Sequence, residues 1–262
     1  MTLFPKFFAA AAAAAVAATL AMGASAAMAG PYSVHWSSGS TTHALAINPI
    51  VSPNGTGFHT AEQYYSYSNP LGSAANTPDA LERSNTVTMF LYDDPNNGLS
   101  LFHIYDRSND GSGMRANVSI TSAGLAGTGQ SFIVRDDPGD SSYVWNDATG
   151  SANLSFQSAT CCTDGWVLGL LPDASTDSWS INAAFSNLEG ITNFDIVMLA
   201  DPYTTPANRH IQRFSIPGSA INTLEFVRTG ETVVAVPAPA TALFPLAALF
   251  LIGGIARRRR QA

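Results

Sequence analysis

The chain has 262 residues, of which 46% are hydrophobic and only two are cysteines, and its formal net charge is −7. Positions 30–235 hold nineteen acidic residues, seven basic residues and no lysine, which gives this stretch a formal charge of −12. Nucleic-acid binding needs a basic face, so this charge argues against a nucleic-acid partner and favours divalent cations instead.

The first 29 residues have the form of a secretory signal peptide, with Lys6 as the positive residue before an apolar run. Ala27-Met-Ala29 fits the small-x-small pattern that signal peptidase cleaves, which predicts cleavage between Ala29 and Gly30. Residues 24–26 offer a competing site of the same kind. We therefore expect an exported protein whose folded domain, residues 30–235, is long enough for one hydrophobic core.

Most of this domain alternates short apolar-polar runs with turn-forming clusters, and it lacks long helical periodicity. Alternation with period two is typical of half-buried strands. Many short strands at this spacing predict an all-β fold, a β-sandwich of jelly-roll-like type, with a barrel as the alternative. The predicted strands span residues 86–92, 101–105, 116–121, 131–134, 152–156, 166–170, 179–183, 194–199, 210–216 and 224–227.

The first part of the domain, residues 30–78, is less regular and richer in Tyr, Asn and Pro. We expect it to form an opening strand pair and a long loop. Residues 80–83, Ala-Leu-Glu-Arg, predict one helical turn.

One loop has the spacing of a calcium ligand set. Asp106, Ser108 and Asp110 precede Gly111, the D-x-S-x-D-G form of the first half of a calcium loop. The twelfth position is Asn117 where an EF-hand needs Glu, and the flanks predict strands, so an EF-hand is rejected. A calcium site in a β-loop and a simple hairpin turn, which also favours Asp and Gly, both remain open.

Further aspartates cluster at positions 93–94 and 136–140, each after an apolar strand and each beginning Asp-Asp-Pro. Adjacent carboxylates repel each other, so clustering is costly unless a cation is bound. Asp-Pro-Gly-Asp is also ordinary turn chemistry, and we favour turns at both places.

Cys161 and Cys162 are adjacent and are the only cysteines. In an oxidising compartment two thiols tend to oxidise, which predicts a vicinal disulfide. A link to another chain and two buried thiols are the alternatives. The pair lacks the further cysteines or histidines that a zinc site requires.

A catalytic signature is missing from the sequence. None of the five histidines stands in a metalloprotease motif, and no nucleophile elbow or phosphate loop occurs. Paired carboxylates serve glycosidases, but positions along the sequence do not determine which carboxylates meet across a cleft. The four tryptophans either stack on sugars or fill the core. We predict a protein without enzymatic activity.

The tail has three parts: Val236-Pro-Ala-Pro-Ala-Thr241, an uncharged segment over residues 241–256, and arginines at 257–260. The uncharged segment has 16 residues, which as a helix spans roughly 24 Å, slightly short for a hydrocarbon core of about 30 Å. The arginines are costly inside the bilayer and favour the cytoplasmic side. The tail therefore predicts a transmembrane helix.

The same three parts resemble the PEP-CTERM sorting signals, particularly the VPLPA-like variant; here Ala238 stands where that variant has Leu. The resemblance covers residues 236–262. It implies that an exosortase, a membrane transpeptidase, cuts near Val236, Pro237 and Pro239 and passes the protein from the inner membrane to the cell surface or matrix. The alternative is a permanent single-pass anchor.

Together these features predict an exported surface or extracellular-matrix protein with a structural or adhesive role in a biofilm or envelope. A carbohydrate-binding module and a secreted polysaccharide-acting hydrolase are the alternatives. The expected partners are signal peptidase, the exosortase and extracellular polysaccharide, and calcium is the expected cofactor if the Asp106 loop binds one.

Overall fold

The computed structural model of the protein describes residues 31–51, 60–66, 75, 77–94, 98–107, 110–111, 113–136, 143–158, 162–174, 177–200 and 210–229. These belong to one compact unit, Met28–Ala235. The predicted cleavage site at Ala29 and Gly30 lies outside the described residues, as does the tail with Val236, Pro237 and Pro239. Within the described part of the chain, no helix is long and apolar enough to cross a membrane.

Strands dominate the described residues, and the α-helical content is a single short helix, α1 (Ala61–Tyr65). A 3-10 turn covers Gly218–Ala220. The strands are β1 (Tyr32–Ser38), β2 (Thr41–Ile47), β3 (Ile50–Val51), β4 (Thr86–Asp94), β5 (Gly98–Tyr105), β6 (Met114–Ala123), β7 (Ser131–Arg135), β8 (Ser151–Ser158), β9 (Asp164–Leu171), β10 (Trp179–Glu189), β11 (Asn193–Leu199), β12 (Ile211–Pro217) and β13 (Thr223–Arg228).

The strands form two sheets. Sheet A is antiparallel throughout and has the order β2-β1-β13-β10-β6-β8. Sheet B has the order β12-β11-β4-β5-β9-β7, with β3 also beside β4. Two pairings in sheet B are parallel, β11 with β4 and β3 with β4. The prediction of an all-β fold is confirmed, because each of the ten predicted strands overlaps an observed strand, with starts that agree to within three residues.

Side chains from both sheets share one hydrophobic core. Alternate residues of sheet A, such as Val34, Ile181 and Phe226, are fully or almost fully buried, and Met89 and Trp166 from sheet B belong to the same cluster. Period-two burial is clearest along β8 and β10. The hydrophobic effect on this shared core holds the two sheets together, since each sheet alone would expose one apolar face.

The first part of the domain contains the predicted strand pair, β1 and β2, but the helix is elsewhere than predicted. Residues 80–83 are not helical, so that prediction was wrong. Helix α1 begins instead after Thr60, whose hydroxyl accepts from the Gln63 backbone while the Gln63 side chain accepts from the Thr60 backbone. This reciprocal capping box satisfies two backbone donors at the helix start. The pattern Thr-x-x-Gln is the sequence signal that would have located it.

Helix α1, together with Ala75 and Leu81, packs on the outer face of sheet B. Tyr64 and Tyr65 are fully buried against outward side chains of β4 and β5, including Phe90 and Phe102. Sheet B is therefore apolar on both faces, as its nearly continuous burial along β4, β5 and β9 shows. The apolar stretches that had no strict alternation in sequence are explained by this second cover.

His103 is an unusual core residue. It is fully buried and stacks on Trp166 with ring centroids 3.9 Å apart. Neither of its ring nitrogens has a hydrogen-bond partner among the described residues. Burial lowers the pKa of His103 well below its usual value, because the charged imidazolium would lose its hydration, so the folded protein holds the ring neutral.

Acidification below about pH 6.5 should destabilise the protein. His103 binds a proton in the unfolded chain at this pH but stays neutral in the folded core, so protonation favours the unfolded state. For this one group the free energy of unfolding falls by at most about 1.4 kcal/mol per pH unit. His103→Phe keeps the ring stack and removes the titrating group, so its stability should change less between about pH 7.5 and about pH 5.5 in urea unfolding. The exposed His210→Phe is the control and should respond like the wild type. An unchanged pH response in His103→Phe would contradict the assignment.

Candidate functional site

The predicted calcium loop follows β5. Asp106 has a left-handed backbone, with φ of 70°, and its side chain is fully buried. Its Oδ1 accepts from the Asn85 backbone N–H at 2.9 Å, and its Oδ2 accepts from the Ser158 hydroxyl at 3.4 Å. The carboxylate thus ties the start of β4 to the end of β8.

Asp110 lies beside Asp106, and the two carboxyl groups interact. The pKa of Asp106 is raised, first by burial and further by the charge and hydrogen bond of Asp110, while backbone N–H groups oppose the rise. Ser108 lies outside the described residues. Among the described residues, no group of three or more His, Cys, Asp or Glu side chains is placed to hold a metal ion. The calcium site at Asp106, Ser108 and Asp110 stays a prediction.

Two further buried carboxylates, Asp136 and Asp164, lie at the same end of the domain. Asp136 belongs to the predicted turn at positions 136–140, whereas nothing in the sequence pointed to Asp164. Asp136 accepts from the Tyr65 hydroxyl at 2.7 Å, and Asp164 accepts from the Tyr143 hydroxyl at 2.8 Å. A Cβ on Gly165 would lie 2.5 Å from the Tyr65 hydroxyl, so glycine is needed for this approach. These hydrogen bonds from the phenols to Asp136 and Asp164 help to hold α1 against sheet B.

Burial and the nearby Asp136 charge raise the pKa of Tyr65 well above its usual value, which keeps this donor protonated. Asp137 and Asp140 of the same loop lie outside the described residues. The aspartates of this end are therefore accommodated by hydroxyl and backbone donors within the described structure.

The predicted cysteine pair is only partly described. Cys162 is disulfide-bonded. Cys161, the other cysteine of the chain, lies outside the described residues, so the vicinal pairing stays a prediction. The tryptophans Trp36, Trp166 and Trp179 are buried in the core, which is the packing role and not the sugar-stacking one.

A cleft of about 300 Å³ lies at the opposite end of the domain, where the ends of the two sheets meet. Two carboxylates line the cleft: Asp93, at the end of β4, and Asp173, in the loop after β9. The Tyr32 hydroxyl of β1 connects sheet A to this loop, because it donates to Asp173. The complete lining is Pro31, Tyr32, Asn48, Pro49, Asp93, Leu99 and Asp173.

Arg228 holds one wall of this cleft. Its side chain is only 4% exposed, and it forms an ion pair with Asp173 at 3.3 Å. The guanidinium also donates to the backbone carbonyls of Asp173, Ala174 and Asp177, which fixes the loop between β9 and β10. Tyr32 donates to the same Asp173 carboxylate. The planar guanidinium of arginine has five N–H donors, which suits the carboxylate and the three carbonyls that accept from it. The single ammonium group of a lysine would not reach all of these acceptors.

The two carboxylates of the cleft have different environments. Asp173 forms an ion pair with Arg228 and accepts from the Tyr32 hydroxyl. Asp93 belongs to β4, where its backbone pairs with Leu99 of β5. The pKa of the Asp93 carboxyl group is raised, first by burial and then by the charges of Asp173 and Asp94. A carboxyl group biased to carry a proton, near a second carboxyl group that is ion-paired, is an arrangement that acid-base chemistry uses.

Sequence reasoning missed this cleft as a site, because Asp93 and Asp173 are far apart in the chain and come together only through strand pairing. β4 pairs with β5, and β5 pairs with β9, which places the ends of β4 and β9 on the same side of sheet B. Comparison with known proteins finds no matching family model, no matching curated protein and no matching solved structure.

Arg228→Lys should lower the free energy of unfolding by about 3 kcal/mol, because the shorter point charge leaves buried carbonyls and Asp173 without their donors. The exposed Arg115→Lys is a matched control, since its pair with Glu189 at 3.9 Å is in solvent. This control should change stability by about 0.5 kcal/mol or less. Urea unfolding of both variants measures the difference, and equal losses would refute the role given to Arg228.

Proposed function

We propose that this chain is an exported cell-surface or extracellular-matrix protein with a structural or adhesive role, delivered by an exosortase-type system. The observation that carries the proposal is the three-part tail: the Val236–Thr241 motif, the apolar segment and the arginine block. The signal peptide ending at Ala29 provides the export step. The folded domain is proposed to be a jelly-roll-like β-sandwich, which the shared core of two sheets supports.

The position of the domain's two ends is compatible with this role. The first residue of β1, Tyr32, pairs with the last residue of β13, Arg228. The described strands nearest in sequence to the two processed segments are therefore neighbours in sheet A. The domain's formal charge of −12 and its lack of lysine suit a soluble extracellular module.

Replacing Pro237 and Pro239 together by alanine should leave the precursor in the inner membrane, because the processing enzyme loses its motif. Membrane and surface fractions, compared by immunoblot and intact mass, give the measurement. Ala238→Leu restores the form of the VPLPA variant and should be delivered like the wild type. Normal surface delivery of the double proline variant would favour a permanent anchor and reject the sorting signal.

A second candidate function is hydrolysis of a polysaccharide, and the cleft between Asp93 and Asp173 favours it. The raised pKa of Asp93 suits a general acid that protonates a leaving-group oxygen. Asp173, ion-paired with Arg228, is placed to act as a general base or nucleophile. The cleft is open at the end of the domain, where a chain polymer has access.

This candidate predicts release of reducing sugar from at least one of starch, cellulose and xylan. Asp93→Asn and Asp173→Asn should each abolish release, while Glu62→Gln on the exposed side of α1 should retain it. Activity should fall as the pH rises through the pKa of Asp93, because the acid form is then lost. If the wild-type protein releases no sugar at any pH at which it stays folded, hydrolysis is excluded for these substrates and the non-enzymatic role stands.

A further inference from the structure

The two sheets differ in what covers their outer faces. The outer face of sheet B lies under α1 and its flanks. On the outer face of sheet A, no helix or strand of the described chain packs. The side chains that point outward from its strands are partly or fully exposed along β1, β6, β8 and β10.

This outer face, called the A-face below, consists of the outward residues of sheet A. Apart from an Arg115–Glu189 pair at one end, Glu225 near the middle and the apolar Val227, its larger side chains are hydroxyls, amides and one imidazole. Its polar members include Ser33, His35, Ser37, Thr42, Asn117, Ser119, Thr121, Ser151, Asn153, Ser155, Gln157, Ser180, Asn182, Ser186, Thr223 and Glu225.

Strand pairing arranges these side chains in rows. His35 pairs with Glu225, Glu225 with Asn182, Asn182 with Thr121, and Thr121 with Ser151. This row crosses five neighbouring strands, and at about 4.8 Å between strands it extends for about 19 Å. Hydrogen-bonding groups are therefore presented at a regular spacing in one row across the sheet.

An open groove of about 450 Å³ lies at one end of the row. His35 and Glu225 line it, together with Ser178, Ser180 and Gly124. The His35 Nε2 and the Ser33 hydroxyl are hydrogen-bonded at 2.9 Å, which orients the imidazole. The loop that provides Ser178 is the one that Arg228 fixes through the Asp177 carbonyl. The row thus leads into a depression with further polar groups and a fixed wall.

The chemistry of the A-face selects among possible partners. An anionic polymer or nucleic acid would need basic residues, and a domain with a charge of −12 repels it. Protein interfaces are enriched in aromatic residues, Met and Arg at their centre, and the centre of this face has none. A neutral chain rich in hydroxyl groups matches it, because each hydroxyl both donates and accepts, as Ser, Thr and Asn do.

We propose that the A-face binds a neutral polysaccharide laid along the row from His35 to Ser151, with the groove at His35 and Glu225 receiving one part of the chain. The inference rests on the proposed surface or matrix role and names the partner of that role. It uses a surface separate from the Asp93–Asp173 cleft, so binding does not depend on hydrolysis.

The test is cosedimentation of the full-length chain, purified in mild detergent, with insoluble cellulose, chitin and curdlan, and with alginate as an anionic comparison. Binding is expected to at least one neutral polymer and not to alginate. Asn182→Glu and Thr121→Glu each place a carboxylate in the middle of the row and should weaken binding by about tenfold or more, because a desolvated unpaired charge is costly.

Gln212→Glu, on the exposed side of β12 in sheet B, adds the same charge elsewhere and should leave binding unchanged. Urea unfolding checks that all three variants fold. Absence of binding to every neutral polymer, or equal binding by Asn182→Glu, Thr121→Glu and the wild type, would overturn the proposal. Because purified protein is used, such a failure is distinct from a failure of sorting, which appears only in the fractionation of cells.

Discussion

The organisation of one end of the domain depends on the contacts of the buried Arg228 guanidinium. Its desolvation is costly, and it is offset by the Asp173 carboxylate and by the carbonyls of the loop that follows β9. That loop forms a wall of the cleft and, through Ser178, a wall of the groove on the A-face. Arg228 also stands over the Tyr32 ring at 5.6 Å, which joins the two terminal strands. One cation in a strongly acidic domain therefore fixes the loop that borders both candidate binding surfaces.

At the opposite end of the domain, around Asp106, Asp136 and Asp164, the buried acidic residues are stabilised by different donors. Asp136 and Asp164 are buried and accept from the phenols of Tyr65 and Tyr143. Asp106 is buried with backbone and hydroxyl donors, and its pKa is raised. Neutral donors and the raised pKa of Asp106 reduce the repulsion that clustered carboxylates would otherwise cause. The two ends thus differ in chemistry: one contains Asp173 ion-paired with Arg228, and the other contains buried aspartates that accept from hydroxyl and backbone donors.

The sequence predicted the strands well because burial on one face leaves a period-two pattern, which is strict along β8 and holds along most of β6 and β10. It predicted the cover of sheet B badly. Outward residues of β4 and β5, such as Phe90 and Phe102, are apolar because Tyr64 packs on them, and the sequence alone does not show this contact. The helix itself has a capping box but only one turn of periodicity, too little to compete with a loop prediction. Asp93 and Asp173 could not be paired from sequence, since their proximity depends on the register of three strands.

The placement of surfaces also bears on how an adhesive domain would work. The first and last described strands, β1 and β13, are neighbours within sheet A, and each has a paired strand on both sides. The row from His35 to Ser151 runs across the strands, roughly perpendicular to β13. A force applied along β13 would act in shear on its hydrogen bonds to β1 and β10, while the contacts proposed for a polymer are spread over five strands. The antiparallel ladders on both sides of β13 would share such a load.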